Sequence, residues 1–283
     1  MGAFFALSSG MVKGPVRLRR EDVRLEMRNP KADYGIDAPS VVRNLVLGGV
    51  IVGIAGALLY VIMVPVRPIA GMLLSVAALV SAVCLLFTGG LMVWSSKYGK
   101  LRQRERLIDF LGLAGSEKVI DVGCGRGLLL IGVARRLRGG RAFGIDLWQS
   151  IDQSGNTPEA TMANAKAEGL ADRVDIRTAD MRALPFPDGS MDCAISSIAI
   201  HNVPGEDGRA KAITEIARVL KAGGRLAIQD LRATDEYVKT LRDLGWKDVE
   251  VSGLNFMIFP PVRMVLGRKP ETVRSSEDFR LRT

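Results

Sequence analysis

Histidine is nearly absent from this chain: His201 is the only one in 283 residues. Cysteine is scarce as well, with Cys84, Cys124 and Cys193 alone and no CxxC pair. These shortages argue against a zinc cluster or a disulfide framework, so no metal ligands are assigned. Reduced, intracellular chemistry is the expectation for the polar part of the chain. Aromatic residues make up only 6% and nowhere alternate with basic ones, so no platform for stacking nucleic-acid bases is predicted. The formal charge of +9 still favours anionic partners, whether nucleic acid, acidic substrate or lipid headgroups. Internal repeats and low-complexity segments are missing too.

Charge is absent from two long stretches. Asn44 to Val66 contains no ionisable group apart from Tyr60, and after Arg67 a second uncharged stretch runs from Pro68 to Ser96. Each exceeds the roughly 20 residues that cross a bilayer core as a helix. A hairpin buried in a soluble core is the competing reading, but soluble helices seldom lack a polar face over such lengths. Two transmembrane helices are predicted, at about 44–64 and 70–94, with Pro65 and Pro68 bracketing a tight turn at Arg67. Gly48, Gly49, Gly53 and Gly56 suit close helix contact in lipid. Tyr60 and Trp94 lie near the span ends, where amphipathic rings favour the interface. Arg17, Arg19, Arg20, Arg24 and Arg28 precede the spans, and Lys97, Lys100, Arg102, Arg104 and Arg106 follow them. The excess of positive charge on both flanks predicts a cell-membrane protein with both termini and the polar domain cytoplasmic. The start, MGAFFALSSGMVKG, lacks the order of a secretory signal. Residues 1–43 read as a basic, weakly structured arm, able to lie on anionic headgroups or to remain solvated. Residues 271–283 read as a charged tail.

Beyond Lys97 the pattern changes. Residues 101–113 carry apolar positions at helical spacing. Short apolar runs follow, each ending in a turn: KVIDVG, RAFGID, RVDIRTAD, MDCAISS and GRLAIQD. Helical stretches separate them. Alternating strands and helices predict an α/β domain over 97–270, with a mostly parallel sheet covered on both faces. DVEVSGLNF and VRMVLGRK, separated by MIFPP, read as an antiparallel pair at the sheet edge.

In such sheets ligands bind outside the carboxyl ends of the strands. The first strand ends in DVGCGRG, with glycines at 123, 125 and 127. They allow a sharp turn and close backbone approach to a ligand. The spacing is G-x-G-x-G rather than the dinucleotide spacing G-x-G-x-x-G. Asp121 at the strand end would repel a pyrophosphate and attract a ligand bearing an ammonium and a sulfonium, such as S-adenosylmethionine. Asp146, 19 positions beyond Gly127, ends the second strand where an acid can accept from both ribose hydroxyls. Asp180 follows the third strand and could accept from an adenine amino group, with Met181 packed on the ring. Each acid alone also reads as a strand-end turn residue; three at successive strand ends beside this loop point to one ligand.

DVGCGRG, GID, AD-M-R-ALPFPDGSMD and EIARVLKAGGRL together resemble the motifs of class I S-adenosylmethionine-dependent methyltransferases. The likeness is to the small-molecule group of ubiquinone and menaquinone biosynthesis, with Ala222 where proline is usual. The resemblance covers about Lys100 to Pro270. It implies a seven-stranded doubly wound Rossmann-like sheet with one antiparallel strand, and cofactor contacts from Asp121, Gly123, Gly125, Asp146, Asp180 and Met181. Cys124, Gly127, Leu147 and Ser196 belong to the same expected site. The membrane hairpin and DYGIDAP (Asp33 to Pro39) lie outside the general pattern and resemble a membrane-anchored subset.

Methyl transfer from a sulfonium needs alignment and exclusion of water. A base is needed only for a protonated nucleophile. In SSIAIHNV, after the fourth strand, His201 is a candidate general base or acceptor-positioning group. Asn202 is a candidate for orienting the acceptor; the competing reading has IHN simply starting a helix. Gln149, Asp152, Gln153 and Asn156 form a lid or acceptor wall, or else a solvated loop with Thr157 capping a helix at Pro158. Asp230 is a weaker acceptor-site candidate, Cys124 a small packing residue, and Trp148 a cover for adenine or a packing residue. MIFPP with Phe256 forms an apolar wall facing substrate or membrane, or packs.

The function expected is methyl transfer to a lipophilic or membrane-near small molecule: a quinone or other prenyl lipid, an aminolipid or a thiol. A membrane-tethered nucleic-acid methyltransferase is less expected, because SSIAIHNV lacks the Asn/Asp-Pro-Pro-aromatic signature of amino-directed nucleic-acid methylation. A non-catalytic cofactor-binding scaffold is the third reading.

Overall fold

In the computed structural model, residues 32–149 and 155–271 are described. Of the candidates above, Asp152 and Gln153 lie outside them, as do residues 1–31 and 272–283.

Helices α1 (Pro39–Met63) and α2 (Pro68–Trp94) form an antiparallel hairpin, each opening on a proline. Proline suits that position because its missing N–H would have no intrahelical partner there. The first helix therefore begins five residues before the predicted span. Both helices are long and apolar enough to cross a membrane. They touch through small residues: a Cβ at Gly49 would fall 2.7 Å from Leu86 Cγ, and one at Gly56 would fall 2.8 Å from Ala78 Cβ. Away from that seam, Ile51, Ile54, Leu73 and Val83 are exposed. Apart from that seam, both helices are apolar all round and largely uncovered.

A π-helical turn (Ser95–Gly99) joins α2 directly to α3 (Lys100–Phe110). Helix α3 is tied to α4 (Leu128–Arg136) by Arg136, whose guanidinium meets Glu105 at 2.6 Å and Asp109 at 2.9 Å. The hairpin is thus fixed to the domain by charge pairs and by packing of Leu107 and Ile108.

The remaining elements are β1 (Lys118–Val122), β2 (Arg141–Asp146), α5 (Pro158–Ala167), β3 (Val174–Thr178), β4 (Met191–Ser197), α6 (Glu206–Val219), β5 (Leu220–Asp230), α7 (Thr234–Asp243), β6 (Val249–Val251) and β7 (Arg263–Arg268). The seven strands lie in the order β3-β2-β1-β4-β5-β7-β6, with β7 alone antiparallel. This is the expected Rossmann-like methyltransferase sheet. Alternation sorts the strand residues onto two faces. Val119, Cys193 and Ile195 join the cluster under α3 and α4, while Ile120, Val122 and Ala194 join the cluster under α6 and α7. Strand order reverses between β1 and β4, which opens a crevice at the carboxyl ends of those strands.

Residues 32–43 depart from the expected loose arm. Asp33 N–H donates to Asn164 Oδ1 at 2.9 Å, Asn164 Nδ2 donates back to Asp33 O at 2.9 Å, and Arg126 pairs with the Asp33 carboxylate at 2.7 Å. The segment is a strap docked on the glycine loop, held by partners more than 90 positions away in sequence.

Candidate active site

A cavity of about 280 Å³ occupies the crevice. Its walls include Asp121, Gly123, Cys124, Gly125, Asp146, Leu147, Asp180 and Met181. Eight of the ten expected cofactor-site residues therefore meet there, together with Asn202. Gly127 and Ser196 do not. Gly127 has φ 85°, and a Cβ there would fall 2.9 Å from Thr161 Cγ2, so it shapes the turn from behind. Ser196 is buried and its hydroxyl donates to Val122 O at 2.7 Å, tying β4 to β1.

The glycine loop uses its amides internally. Gly123 and Cys124 N–H both donate to Ile145 O, at 2.8 and 3.0 Å, and Gly127 N–H donates to Cys124 O at 2.8 Å. Gly125 N–H donates to Asp146 Oδ2 at 2.8 Å. A dinucleotide loop instead aims such amides at a pyrophosphate. Here those four are spent, and Gly123 has no room for a side chain: a Cβ would fall 2.2 Å from Ala199 Cβ.

Asp121 is 2% exposed, and among the described residues neither carboxylate oxygen accepts a full hydrogen bond. Burial pushes its carboxyl up to about 8, with the Leu130 backbone N–H opposing and neighbouring Asp146 adding to the rise. Buried polar groups are normally paired, so an orphaned acid in a cavity wall calls for a donor from a ligand. Asp146 is held by Gly125, by Trp148 N–H at 2.6 Å and by Asn156 Nδ2 at 3.3 Å. Two positive-φ residues flank the crevice, Trp148 at 59° and Ile198 at 51°. Such backbone costs about 1–3 kcal/mol each and persists where the surroundings impose it. Asp180 is engaged by Arg182, whose Nη2 lies 2.6 Å from Oδ2, and that hydrogen bonding holds its carboxyl below the usual range.

Sequence reasoning overlooked the opposite wall, made by Asp37, Lys100, Arg126 and Ile258. Lys100 is 6% exposed and donates to Tyr34 O at 2.9 Å, Gly35 O at 2.8 Å and Asp37 Oδ1 at 3.2 Å. The only signal was DYGIDAP itself, a compact turn-rich motif beside a span. Lys100 was hidden among the other basic residues of the membrane flank.

Four carboxylates (Asp37, Asp121, Asp146, Asp180) and three cations (Lys100, Arg126, Arg182) line the cavity. That set fits a ligand with two positive centres and one carboxylate, and the glycine loop, its amides engaged, does not suit a pyrophosphate. S-adenosylmethionine meets these demands.

Of the two catalytic candidates, His201 does not reach the cavity. It lies on a 3-10 turn (Ile200–Asn202), and Asn202, Val203 and Pro204 line the cavity whereas His201 does not. Its Nδ1 is 2.5 Å from Asp230 Oδ1. Asp230 is fully buried and accepts from His201 N–H at 3.1 Å, Tyr237 OH at 3.0 Å and Leu231 N–H at 2.8 Å. Thr157 caps α5 as expected, accepting from Ala160 N–H at 3.1 Å. Cys124 is buried, which pushes its thiol well up and leaves it a packing residue.

The fold and this cavity are those expected of a class I S-adenosylmethionine-dependent methyltransferase domain. Residues 120–228 match the family described as "Methyltransferase domain". The chain is 35% identical over 130 residues to the methyltransferase GfsG of Streptomyces halstedii, covering 46% of this chain and 43% of the relative. It is 33% identical over 125 residues to the ubiquinone/menaquinone biosynthesis C-methyltransferase UbiE of Roseobacter denitrificans, covering 44% and 46%. The chain thus spans about half the length of these curated relatives. Among solved structures, the cyclase SpnF shares the fold with a TM-score of 0.51 at 20% identity, over 60% of this chain and 81% of that one.

Proposed function

We propose that this protein is an S-adenosylmethionine-dependent methyltransferase anchored in the cell membrane by α1 and α2, acting on a lipophilic or membrane-near small molecule. The buried Asp121, lacking a full hydrogen-bond partner among the described residues, beside a glycine loop whose Gly123, Cys124, Gly125 and Gly127 amides are engaged within the fold, is the observation that carries the reading. The cofactor supplies an electrophilic methyl group on a sulfonium. Asp121 would hold a cationic centre, Asp146 would accept the ribose hydroxyls, and Asp180 with Met181 would frame the base. Lys100 holds the strap residues against the cavity, and Arg126, paired with Asp33, adds positive charge to the wall. Asn202 would orient the acceptor. The similarity to a quinone C-methyltransferase supports a quinone-like acceptor over an aminolipid or thiol. The charge flanking both spans supports a cytoplasmic domain and cytoplasmic termini. Anchoring raises the effective concentration of the site for membrane-resident acceptors.

Membranes containing the full chain, supplied with cofactor tritiated on its methyl group, are expected to accumulate label in the organic extract. Mass spectrometry of the labelled product then names the acceptor. Label in nucleic acid would favour the tethered nucleic-acid enzyme instead. Cofactor binding without any transfer would favour a scaffold, a role compatible with a fold that also serves a cyclase.

For His201 the geometry supports a positioning role: with Asp230 it holds the turn that presents Asn202. His201→Asn is expected to slow label transfer by no more than about tenfold, leaving its pH profile unshifted, whereas loss of a general base costs about 100-fold or more. A larger loss, with the acid limb of the profile abolished, would restore His201 as the base.

A further inference from the structure

The loop between β6 and β7 carries Leu254 and Phe256 at 54% and 68% exposure. Its tip has apolar side chains in the open, yet its base is firmly held. Asn255 pairs with Val262 through both backbone groups, at 2.8 and 3.1 Å. Asn255 Nδ2 donates to Gln103 Oε1 at 2.8 Å, and Phe259 N–H donates to Ser95 Oγ at 2.8 Å. The Met257 carbonyl abuts Gly99 so closely that a Cβ there would fall 1.7 Å from it. Ser95 and Gly99 are the two ends of the turn that leaves α2. The loop is therefore fixed beside the point where the second apolar helix enters the domain.

Trp94 and Tyr98, at 42% and 52% exposure, stand at that same point, with Lys97 exposed between them. Amphipathic rings and a cation at the end of an apolar helix match the headgroup level of a bilayer. The same loop also reaches inward: Ile258 is 3% exposed and lines the cavity. Lys100, on the cavity wall as well, is six positions past Trp94, roughly 9 Å at 1.5 Å rise per residue. The cavity and the expected membrane surface are therefore separated by less than two helical turns and by this loop.

We propose that residues 254–259 form a bilayer-contacting mouth, with Leu254 and Phe256 in the boundary between headgroups and acyl chains and Ile258 on the cavity side. The occupant of the outer face is lipid. The acceptor class follows: a lipid whose alkyl tail stays in the bilayer while its polar head passes the loop into the cavity. This rests on the proposed membrane-anchored methyl transfer.

The test uses the full chain in vesicles whose lipids carry a nitroxide either near the headgroup or deep in the acyl chain. Cys124 and Cys193 are buried and Cys84 is exposed on α2, so a fluorescent thiol label on native Cys84 reports the span. In a Cys84→Ser background, Phe256→Cys reports the loop. Leu244→Cys, exposed before β6 and so at the other end of that strand from the loop, serves as the reference. The label at 256 is expected to lose emission to shallow nitroxides and the label at 244 to keep it, while Cys84 responds to deep nitroxides. The bulky label at 256 is also expected to cut transfer of tritiated methyl into the organic extract by about tenfold, with calorimetric affinity for the cofactor unchanged. If 256 behaves like 244 while Cys84 is quenched, or if the label at 256 leaves transfer intact, the mouth is wrong and the anchor stands. A loop that is instead protected by a soluble protein overturns the lipid assignment. If Cys84 too escapes quenching, the membrane reading itself fails.

Discussion

Asp121→Asn is expected to weaken cofactor binding by about 100-fold while raising the melting temperature of the cofactor-free protein. Both effects come from one buried carboxyl. Replacing a charged acceptor by a neutral amide forfeits a charge-assisted hydrogen bond worth about 1.5–3 kcal/mol, together with attraction to a cationic ligand in a low-dielectric wall. The pH dependence has a definite sign. In the folded, cofactor-free protein the carboxyl titrates near 8, and its ordinary value is 3.8. Between those values the unfolded chain binds fewer protons than the folded one, so stability falls as pH rises through that window. Asparagine removes the effect. Its thermal advantage over the native protein should therefore be small near pH 4 and grow towards pH 8, at about 2–4 °C per kcal/mol for a domain of this size. Cofactor affinity runs the other way. Below pH 8 the native protein must release a proton to bind a cation at Asp121, so its affinity should drop by up to about tenfold per pH unit on acidification. The difference between native and variant profiles cancels the titration of the ligand's own amine. Calorimetry between pH 6 and 8.5 and thermal melts between pH 4 and 8.5 give the two curves. An asparagine variant that binds the cofactor as tightly as the native protein would remove the basis of the proposed function.

Lys100→Met should be the second most damaging substitution. All three ammonium hydrogens are engaged by Tyr34 O, Gly35 O and Asp37. Burial lowers the lysine's pKa, with Asp37 opposing, so its charge is held by these partners rather than by water. Methionine fills a similar volume but leaves two carbonyls and Asp37 without their donor, at a cost of about 2–4 kcal/mol. Arginine is not expected to rescue, since its planar fork does not match three converging oxygens around a compact ammonium. Asp37 and the neighbouring strap form one wall of the cavity, so cofactor affinity should fall about tenfold as well. Hydrogen exchange on the full chain in detergent reads the cause: amides of 33–37 should lose protection while those of β1 and β4 keep theirs. Unchanged protection at 33–37 would show that the strap does not depend on Lys100.

The two substitutions differ in how visible their residues were in the sequence. Asp121 stood out because its meaning is local: an apolar run, an acid, then glycines at alternate positions describe a strand end and a turn by themselves. Asp146 and the strand alternation that splits Val119 from Ile120 were legible for the same reason, and so was the uncharged length of the hairpin. Lys100 was not. Nothing nearby in the chain distinguishes it from Lys97 or Arg102, and its partners lie 63 or more positions away. Ser196 shows the converse error. It ends the right strand, but a single step of the pleat turns its hydroxyl to Val122 O while Ser197 faces the cavity. His201 lies in the right segment too, yet the turn directs its ring to Asp230 and brings Asn202 to the cavity.

The sequence alone therefore determined the hairpin, the order of strands and helices, and the acids that line the crevice. Each of these is written in periodicity or in short-range spacing, which neighbouring residues enforce on one another. Tertiary structure alone decided which side chains complete the cavity: the strap from before α1, the lysine from the neck, and the loop that brings Ile258 inward. Those residues meet only after the sheet has closed and the charge pairs on α3 have docked the hairpin, and the energies that select them act between segments far apart in the chain.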